Sequence, residues 1–149
     1  MRAVAQRTRH TVLSVDGSDV SEIPFGLTVF LGVGRGDGEE QAAYIARKIA
    51  NLRVFEDGDG KMNLSVKAAG GEVLLVSQFT LYGDCVHGNR PSFTQAEEPQ
   101  KAKLLYERTA ELLRGYGVTV KTGIFGADMQ IKQHNDGPVT ILIESPQGH

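Results

Sequence analysis

The sequence predicts an α/β domain in which two amphipathic helices cover one system of β-strands. Short runs rich in valine and threonine recur along the chain and are bounded by glycine-containing turns, which is typical of strands. Two longer segments carry apolar residues at helical spacing. Because the 149 residues are 40% hydrophobic and contain no internal repeat, low-complexity tract or linker, we expect a single domain over residues 1–149.

The predicted elements begin with strands. Residues 1–8 and 11–15 are the first two, and Asp16-Gly17 is a turn signal that leads into a third strand at 20–23, so an opening meander is expected. A continuous apolar strand follows at 27–33. After a glycine-rich turn, alanine, isoleucine and leucine recur at helical spacing, and the first helix is predicted over residues 39–52.

A short hairpin comes next, with predicted strands at 53–55 and 62–66. Residues 72–79 are predicted to form a central strand, because four apolar residues run together before any polar one. The second helix is predicted over residues 99–116, with Pro99 in its first turn. The remaining predicted strands, with Gly137-Pro138 directly before the last of them, lie at 118–122, 129–134 and 139–143.

Charge and cysteine content exclude several classes of protein. Sixteen Lys and Arg residues against 18 Asp and Glu give a formal net charge of -2, so no bulk positive field holds nucleic acid non-specifically. The single cysteine, Cys85, excludes an intramolecular disulfide framework and suits a reducing compartment, so we expect a cytoplasmic protein. The apolar runs are strand-sized and the N-terminus lacks an apolar leader core, so no membrane partner and no targeting segment are expected. Residues 145–149 are expected to fray.

Three features have ordinary explanations. The glycine-rich segment 32–38 lacks the spacing of a dinucleotide-binding loop, and its acidic residues favour a turn that complements the dipole of the following helix. Cys85 and His87 lie two residues apart, and we favour a bystander thiol over a cysteine nucleophile. The four histidines lack the spacing of a zinc motif, so neither a metal nor another cofactor is expected.

Polar side chains follow the predicted central strand. Ser77, Gln78 and Thr80 lie at its carboxyl end, where α/β folds place ligands, although a solvated strand end would look the same. Neither a serine–lysine pair nor a nucleophile elbow accompanies these hydroxyls, so residue types alone leave open whether one of them is a nucleophile. At Gly137-Pro138 a trans peptide is the default expectation, and a cis bond would make the segment a rigid backbone wall.

Six blocks of the sequence, in one order and spread nearly from end to end, resemble those of the D-aminoacyl-tRNA deacylases. The blocks are residues 1–4 (Met-Arg-Ala-Val), 61–65 (Lys-Met-Asn-Leu-Ser), 77–82 (Ser-Gln-Phe-Thr-Leu-Tyr), 88–93 (Gly-Asn-Arg-Pro-Ser-Phe), 122–129 (Thr-Gly-Ile-Phe-Gly-Ala-Asp-Met) and 135–140 (Asn-Asp-Gly-Pro-Val-Thr). The resemblance implies a β-barrel-like α/β subunit in a homodimer, acting in translation quality control. The implied reaction is hydrolysis of the ester between a D-amino acid and the terminal ribose of tRNA.

The resemblance also implies a site at the dimer interface. One subunit would supply catalytic residues, and its partner would insert a cis Gly-Pro peptide. The implied catalytic residues are Ser77, Gln78, Phe79 and Thr80. The implied substrate-binding residues are Gly137 and Pro138, Arg7 as support for the Gly-Pro segment, and Phe125 and Met129 near the adenosine.

Physical reasoning adds a hypothesis about selectivity. Pocket fit for a side chain discriminates by only about 1–3 kcal/mol per group, which is too little for chiral proofreading. A rigid Gly137-Pro138 wall at the α-carbon would admit hydrogen and exclude any side chain, so glycyl-tRNA is expected to be a substrate beside D-aminoacyl-tRNA.

The chemistry has two candidate routes. Thr80 could be the nucleophile, or water could be, assisted by the 2'-hydroxyl of the terminal ribose with the backbone of Phe79 and Thr80 stabilising the oxyanion; we favour water. The competing function is a non-catalytic RNA-binding module, or a dimer that holds a free D-amino acid in the same pocket.

Overall fold

The computed structural model describes residues 1–147, and its main sheet is organised around one long strand. The strands are β1 (Arg2–Val15), β2 (Ser18–Ile23), β3 (Gly26–Gly32), β4 (Phe55–Glu56), β5 (Met62–Leu64), β6 (Glu72–Ser77), β7 (Val120–Thr122) and β8 (Gln130–Glu144). The helices are α1 (Glu39–Asn51) and α2 (Pro99–Gly115). Each predicted helix is confirmed, with its end shifted by one residue, which is within the usual disagreement over helix boundaries.

Strand β1 is continuous where two strands were predicted. Its first half, Arg2 to Thr8, pairs with β3, and its second half, Thr11 to Val15, pairs with β2. The predicted Asp16-Gly17 turn is present, with positive φ at both residues, as a two-residue hairpin requires. The predicted opening meander is wrong, because its first two strands form the single strand β1 and only the β1–β2 hairpin remains. Strand β3 then returns to pair with β1 rather than with β2.

The main sheet is nearly closed and barrel-like, with the strand order β2-β1-β3-β6-β7 and β8 on the other side of β1. Strand β2 comes back to β7, where the Ser21 hydroxyl donates to the Thr122 carbonyl at 2.5 Å. Strands β3, β6 and β7 run parallel, whereas β1 pairs antiparallel with β2, β3 and β8. The predicted α/β class with two covering helices is confirmed.

Strand β6 is buried on both faces, as its apolar run predicts. Val73 and Leu75 face the helices and join a large cluster with the apolar sides of α1 and α2. Leu74 and Val76 point the other way and pack with Leu13 inside the barrel. This strand therefore ends between two packed layers, which gives the residues after Ser77 a fixed starting point.

The C-terminal strand differs most from its prediction. Two strands were expected, but β8 is one strand that runs through Gly137-Pro138 and pairs with β1 on both sides of it. The tail is also ordered where it leaves β8, because Ser145 donates its amide to the Met1 carbonyl at 2.9 Å. The expected fraying of Gly148 and His149 lies outside the described residues. Within residues 1–147, no helix is both long and apolar enough to cross a membrane.

Candidate active site

The proposed catalytic segment starts at one edge of the sheet. Because β3, β6 and β7 are parallel, their carboxyl ends meet there. Ser77 is the last residue of β6 and is half-buried. The amide of Gln78 still donates to the carbonyl of Leu31 on β3, at 2.8 Å, so the position of the next residue is fixed by the sheet.

The chain then turns sharply rather than continuing as a strand. The prediction of a strand through Phe79 is wrong, because residues 79–82 form a 3₁₀ helix, here called the 79–82 turn. The Gln78 side-chain amide donates to the Thr80 hydroxyl, and the Gly83 amide donates to the Thr80 carbonyl at 3.0 Å. Phe79 and Thr80 are exposed, so the first half of the turn is open to a ligand.

An exposed aromatic pair flanks the turn. The Phe79 ring is 58% exposed and meets the Phe93 ring edge to face, with 5.1 Å between centroids. Phe93 follows a loop that is closed at its base by reciprocal backbone hydrogen bonds of 2.8 Å between Asp84 and Ser92. The pair offers an apolar surface beside the polar groups of the turn, which suits a ligand with an aromatic side chain or a base.

The Gly137-Pro138 segment lies at the crest of a bulge in β8. Between the pairs Gln6↔Thr140 and Thr8↔Asn135, β1 advances by two residues and β8 by five. The surplus residues project from the sheet as the Gly-Pro bulge, residues 136–139. Gly137 and Pro138 are exposed, and the peptide bond between them is cis, as the family resemblance implies and contrary to the default expectation.

Arg7 fixes the base of the Gly-Pro bulge. Its side chain is buried, and its Nη1 donates to the Val54 carbonyl at 2.6 Å. Its Nε donates to the Asp136 carbonyl at 3.1 Å, and the Asp136 carboxylate lies 3.4 Å from the same nitrogen. One guanidinium thus bridges the bulge and the chain that follows α1, a geometry for which its rigid fork of donors is suited.

Phe125 and Met129 leave the sheet at the same edge as Ser77, in the segment after β7. The Phe125 ring packs against Tyr106 of α2, with 5.8 Å between centroids. Met129 packs with the cluster inside the barrel, and the Gly123 backbone approaches its sulfur closely. Both side chains are half-buried, so each packs against the core and stays partly open to solvent.

The turn carries hydrogen-bonding groups without an acid–base partner. Among residues 1–147, the hydrogen bonds of the Thr80 side chain involve Gln78 and no carboxylate or imidazole. Cys85 and His87 are both exposed on the neighbouring loop. No three His, Cys, Asp or Glu side chains of the described chain lie together as a metal site would require. Burial raises the pKa of the Tyr82 phenol, so this residue stays neutral.

The turn and the Gly-Pro bulge of one chain lie apart. Ser77 is in register with Leu31, Leu31 with Ala3, and Ala3 with Ile143 on β8. Three strand spacings of about 4.8 Å separate β6 from β8, and the bulge lies about four residues further along β1, at about 3.3 Å each. Measured along the sheet, the two halves are therefore separated by roughly 20 Å.

Sequence reasoning missed two contributors to this edge. Phe93 ends the 88–93 block, and nothing in the sequence pattern indicates its contact with Phe79, which lies in a different block. The glycine-rich segment was interpreted as a turn with dipole-complementing acids, but Asp37 is buried and accepts the Gly34 amide at 2.6 Å. Glu39 and Glu40 do lie in the first turn of α1 as expected.

The chain is a small barrel-like α/β protein with an open strand edge and a bulge anchored by Arg7. Comparison with known proteins identifies the family to which this class of structure belongs. A family model described as D-Tyr-tRNA(Tyr) deacylase matches residues 4–144. A D-aminoacyl-tRNA deacylase of Fervidobacterium nodosum is 55% identical over 145 residues, covering 97% of both chains. That of Myxococcus xanthus is 56% identical over 146 residues, covering 98% of this chain and 95% of its own.

Two solved structures share the fold. One, titled c-Myc DNA Unwinding Element Binding Protein, has a TM-score of 0.90 and 43% identity, and covers 98% of this chain and 99% of its own. The other is titled as a probable eukaryotic D-amino acid tRNA deacylase. It has a TM-score of 0.80 and covers 97% of this chain and 98% of its own. Because the identity is 18%, this likeness shows only that the fold is shared. The chain belongs to the D-Tyr-tRNA(Tyr) deacylase family, which confirms the resemblance and the enzyme class that it implies.

Proposed function

We propose that this protein hydrolyses the ester between a D-amino acid and the terminal ribose of tRNA, releasing free D-amino acid and tRNA. The observation that carries the proposal is the placement of the Ser77–Thr80 segment. Within a chain of this family, it ends a central strand at an open edge, where Phe79 and Thr80 are exposed and the half-buried Gln78 bonds to the Thr80 hydroxyl. We propose a cytoplasmic location, because charged tRNA is used there.

The complete site requires a homodimer. The turn and the Gly-Pro bulge are roughly 20 Å apart along one sheet, too far to touch the same α-carbon. A second copy can bring its bulge to the turn, because Gly137 and Pro138 are exposed at the crest. Phe79 is also exposed in the single chain, which fits an edge that is covered on assembly.

Selectivity against L-amino acids comes from the partner's Gly-Pro bulge. The two enantiomers exchange the positions of hydrogen and side chain on the α-carbon, so a wall at that point admits the D-form and glycine and excludes the L-form. Glycine is required at position 137 of the wall, because an added Cβ would lie only 2.8 Å from the Val139 amide nitrogen. Arg7 supports the segment through its bond to the Asp136 carbonyl. Phe125 and Met129 line the substrate side of the edge, near the adenosine.

Water is the nucleophile in the favoured route. The ester carbonyl binds with its oxygen toward the backbone amides of Phe79 and Thr80, and the ribose 2'-hydroxyl assists the attacking water. One preorganised donor stabilises such an oxyanion by about 2.7–4 kcal/mol, and aminoacyl esters are already reactive. Thr80 is a poor nucleophile here, because its contact in the described chain is an amide that cannot accept its proton.

The decisive test compares D-tyrosyl-tRNA with L-tyrosyl-tRNA, using purified protein in the presence of a chelator. Release of only the D-amino acid supports the proposal. Equal rates on both esters would contradict the proposed exclusion of L-amino acids by the Gly-Pro bulge. Glycyl-tRNA and L-alanyl-tRNA form the second pair, in which rapid hydrolysis of glycyl-tRNA alone is expected. In the same assay Thr80→Val should keep near-normal turnover. A loss of several orders of magnitude with a trapped acyl-enzyme would instead make Thr80 the nucleophile.

A nucleic-acid-binding module without catalysis is the second candidate. It is favoured by the 43% identical structure titled as a DNA-unwinding-element binding protein. The formal net charge of -2 argues against contact with many phosphates of a nucleic-acid backbone. A binding module that neutralises many phosphates should lose affinity steeply as salt rises, whereas an enzyme that contacts only the tRNA 3' end should show a shallow slope. A steep slope together with no hydrolysis would favour the module.

A further inference from the structure

We infer that Arg2 is a positioning residue for the proposed hydrolysis: it holds the 79–82 turn, and through it Gln78 and Thr80, against the end of the sheet. The inference rests on the proposed function, because the turn matters to the reaction only if the reaction occurs there. Arg2 touches neither Gln78 nor Thr80 in its hydrogen bonds and ion pairs, so its effect would pass through Leu81 and Tyr82.

The strand register places Arg2 where the turn needs support. Arg2 pairs with Gly32 of β3 on one side and with Glu144 of β8 on the other. Because Gly32 has no side chain, the turn can pack directly on its backbone. A Cβ on Gly32 would lie 3.0 Å from the Gln78 carbonyl oxygen and 3.2 Å from the Leu81 Cβ. The turn therefore lies directly on the glycine next to Arg2.

The Arg2 side chain contacts the turn twice. Its Nη1 donates to the Leu81 carbonyl at 3.1 Å, and its guanidinium carbon lies 4.5 Å from the centroid of the Tyr82 ring. Its Nε lies 3.2 Å from the Glu144 carboxylate, which orients the group from the opposite side. A planar guanidinium can donate, pair and stack at once, and a lysine ammonium cannot reproduce this combination.

The Tyr82 ring is also confined by the chain after β3. A Cβ on Gly34 would lie 2.7 Å from the ring's Cε1, Cζ and hydroxyl oxygen, so the ring rests on bare backbone. Leu81 and Tyr82 thus pack on one surface, here called the seat, which is formed by Gly32, Gly34 and Arg2. The seat leaves room for the turn after Gln78, and it gives the glycine-rich segment a role that its sequence pattern did not reveal.

The seat matters because, apart from the bond of the Gln78 amide to β3, the backbone hydrogen bonds described for the turn, Leu81 to Gln78 and Gly83 to Thr80, are internal to it. The Leu81 amide donates to the Gln78 carbonyl at a long 3.4 Å, and the exposed Phe79 cannot anchor the turn in the core. A misplacement of about 1 Å in a catalytic group can cost about 10²-fold in rate. Loosening the seat should therefore lower kcat for D-tyrosyl-tRNA, with little change in KM, because the substrate-binding groups elsewhere are untouched.

The experiment compares Arg2→Met, Tyr82→Leu and Tyr82→Phe with a matched control, Arg108→Met. Arg108 is as exposed as Arg2 and also pairs with a carboxylate, but it lies on the outer helix. Arg2→Met and Tyr82→Leu should each lower kcat by about 10- to 100-fold. Tyr82→Phe keeps the ring and should stay within about twofold of the wild type, as should Arg108→Met.

Amide hydrogen exchange gives a readout that is independent of hydrolysis. Arg2→Met should speed exchange at Leu81 and Gly83 while leaving the β6 amides unchanged, and Tyr82→Phe should leave all of them unchanged. If the wild type does not hydrolyse D-tyrosyl-tRNA, the proposed function fails, and exchange alone still decides whether Arg2 holds the turn. Arg2→Met with kcat and exchange like Arg108→Met would overturn the inference, as would a lower kcat without faster exchange. If Arg2→Met fails to fold, the Tyr82→Leu and Tyr82→Phe pair decides by the same criteria.

Discussion

The two halves of the proposed site are held in place in different ways. The 79–82 turn follows directly from a buried strand, so a backbone hydrogen bond from Gln78 to Leu31 fixes its start, and the inferred contacts of Arg2 hold its far end. The Gly-Pro bulge leaves its partner strand and is held at its base by one buried side chain, Arg7. The turn therefore has a backbone attachment to the sheet in addition to its side-chain support, whereas the bulge depends on a buried side chain for its support.

The difference matches the tasks proposed for the two halves. The turn presents amides and a hydroxyl, which must be aimed at a reacting carbonyl, and a packed strand gives that precision. The bulge is proposed to exclude a group rather than to react, so it must be rigid and must protrude. The first predictions therefore concern the bulge, where one substitution should have the largest effect.

Replacement of Arg7 by methionine should damage both stability and activity. The change leaves the Val54 carbonyl and the Asp136 segment without their buried donor, so we expect a loss of about 2–3 kcal/mol in the free energy of unfolding. Activity should fall by about 10²-fold, because the bulge loses its support. Urea denaturation and D-tyrosyl-tRNA hydrolysis measure the two effects.

Arg9→Met is the matched control for Arg7. Arg9 contacts the same Asp136 carboxylate at 3.5 Å, but its side chain is 68% exposed, so its loss should cost less than about 1 kcal/mol. If both variants lose the same stability, the Gly-Pro bulge does not depend on the buried arginine, and the contrast between the two halves of the site disappears.

Gly137→Ala should lower activity by about 10-fold or more, because the wall itself must move. Gly137 has a φ of +130, and an added Cβ would meet the Val139 amide nitrogen at 2.8 Å. Gly126→Ala is the control, since Gly126 also has positive φ but open space around it, and it should cost only about 1–2 kcal/mol of backbone strain. Equal losses of activity in the two variants would show that strain alone, and not the position of the wall, is responsible.

The fold class could be predicted from the sequence because its signals are local. Both helices follow from apolar spacing, and the hairpin follows from Asp16-Gly17, whose φ values the turn requires. The end of β6 could not be placed, because Phe79, Thr80 and Leu81 are all compatible with a strand. The turn there depends on room left by Gly32 and Gly34, which are distant in sequence.

The candidate site was only partly accessible to sequence reasoning. Gly137-Pro138 was expected to precede a strand, since proline removes a ladder donor, but pairing with β1 on both sides keeps β8 continuous and expels the extra residues as a bulge. Arg7 has no local signature, because its partners Val54 and Asp136 lie 47 and 129 positions away. Only the family resemblance indicated a role for it.

Tyr106→Phe tests how firmly the strand beneath the turn is held. The Tyr106 hydroxyl donates to the Leu75 carbonyl at 2.6 Å, two residues before Ser77, so its removal should cost about 1 kcal/mol at neutral pH. Burial raises the pKa of this phenol to about 12, so folding favours the protonated form.

The pH dependence of this effect has a definite sign. Stability from the raised pKa of Tyr106 is fully present below its usual value of 10.0 and is lost as the pH rises toward about 12. Wild-type stability should therefore decline more steeply above pH 10 than that of Tyr106→Phe, measured by denaturation across that range. Parallel curves would show that the phenol has the same pKa in the folded and unfolded states, and that its bond to Leu75 does not stabilise the protonated form.

Phe93→Leu should have the smallest effect and tests whether the turn needs support from its exposed side. The substitution keeps an apolar side chain but removes the edge-to-face contact with Phe79, which contributes about 0.5–1.5 kcal/mol when fully formed and less at these exposed rings. We expect at most a few-fold loss in kcat, because Gln78 to Leu31 and Gly83 to Thr80 still define the backbone. A loss as large as that of Arg7→Met would mean that the turn depends on its exposed aromatic contact as strongly as the bulge depends on Arg7, and that the two halves of the site are supported in the same way.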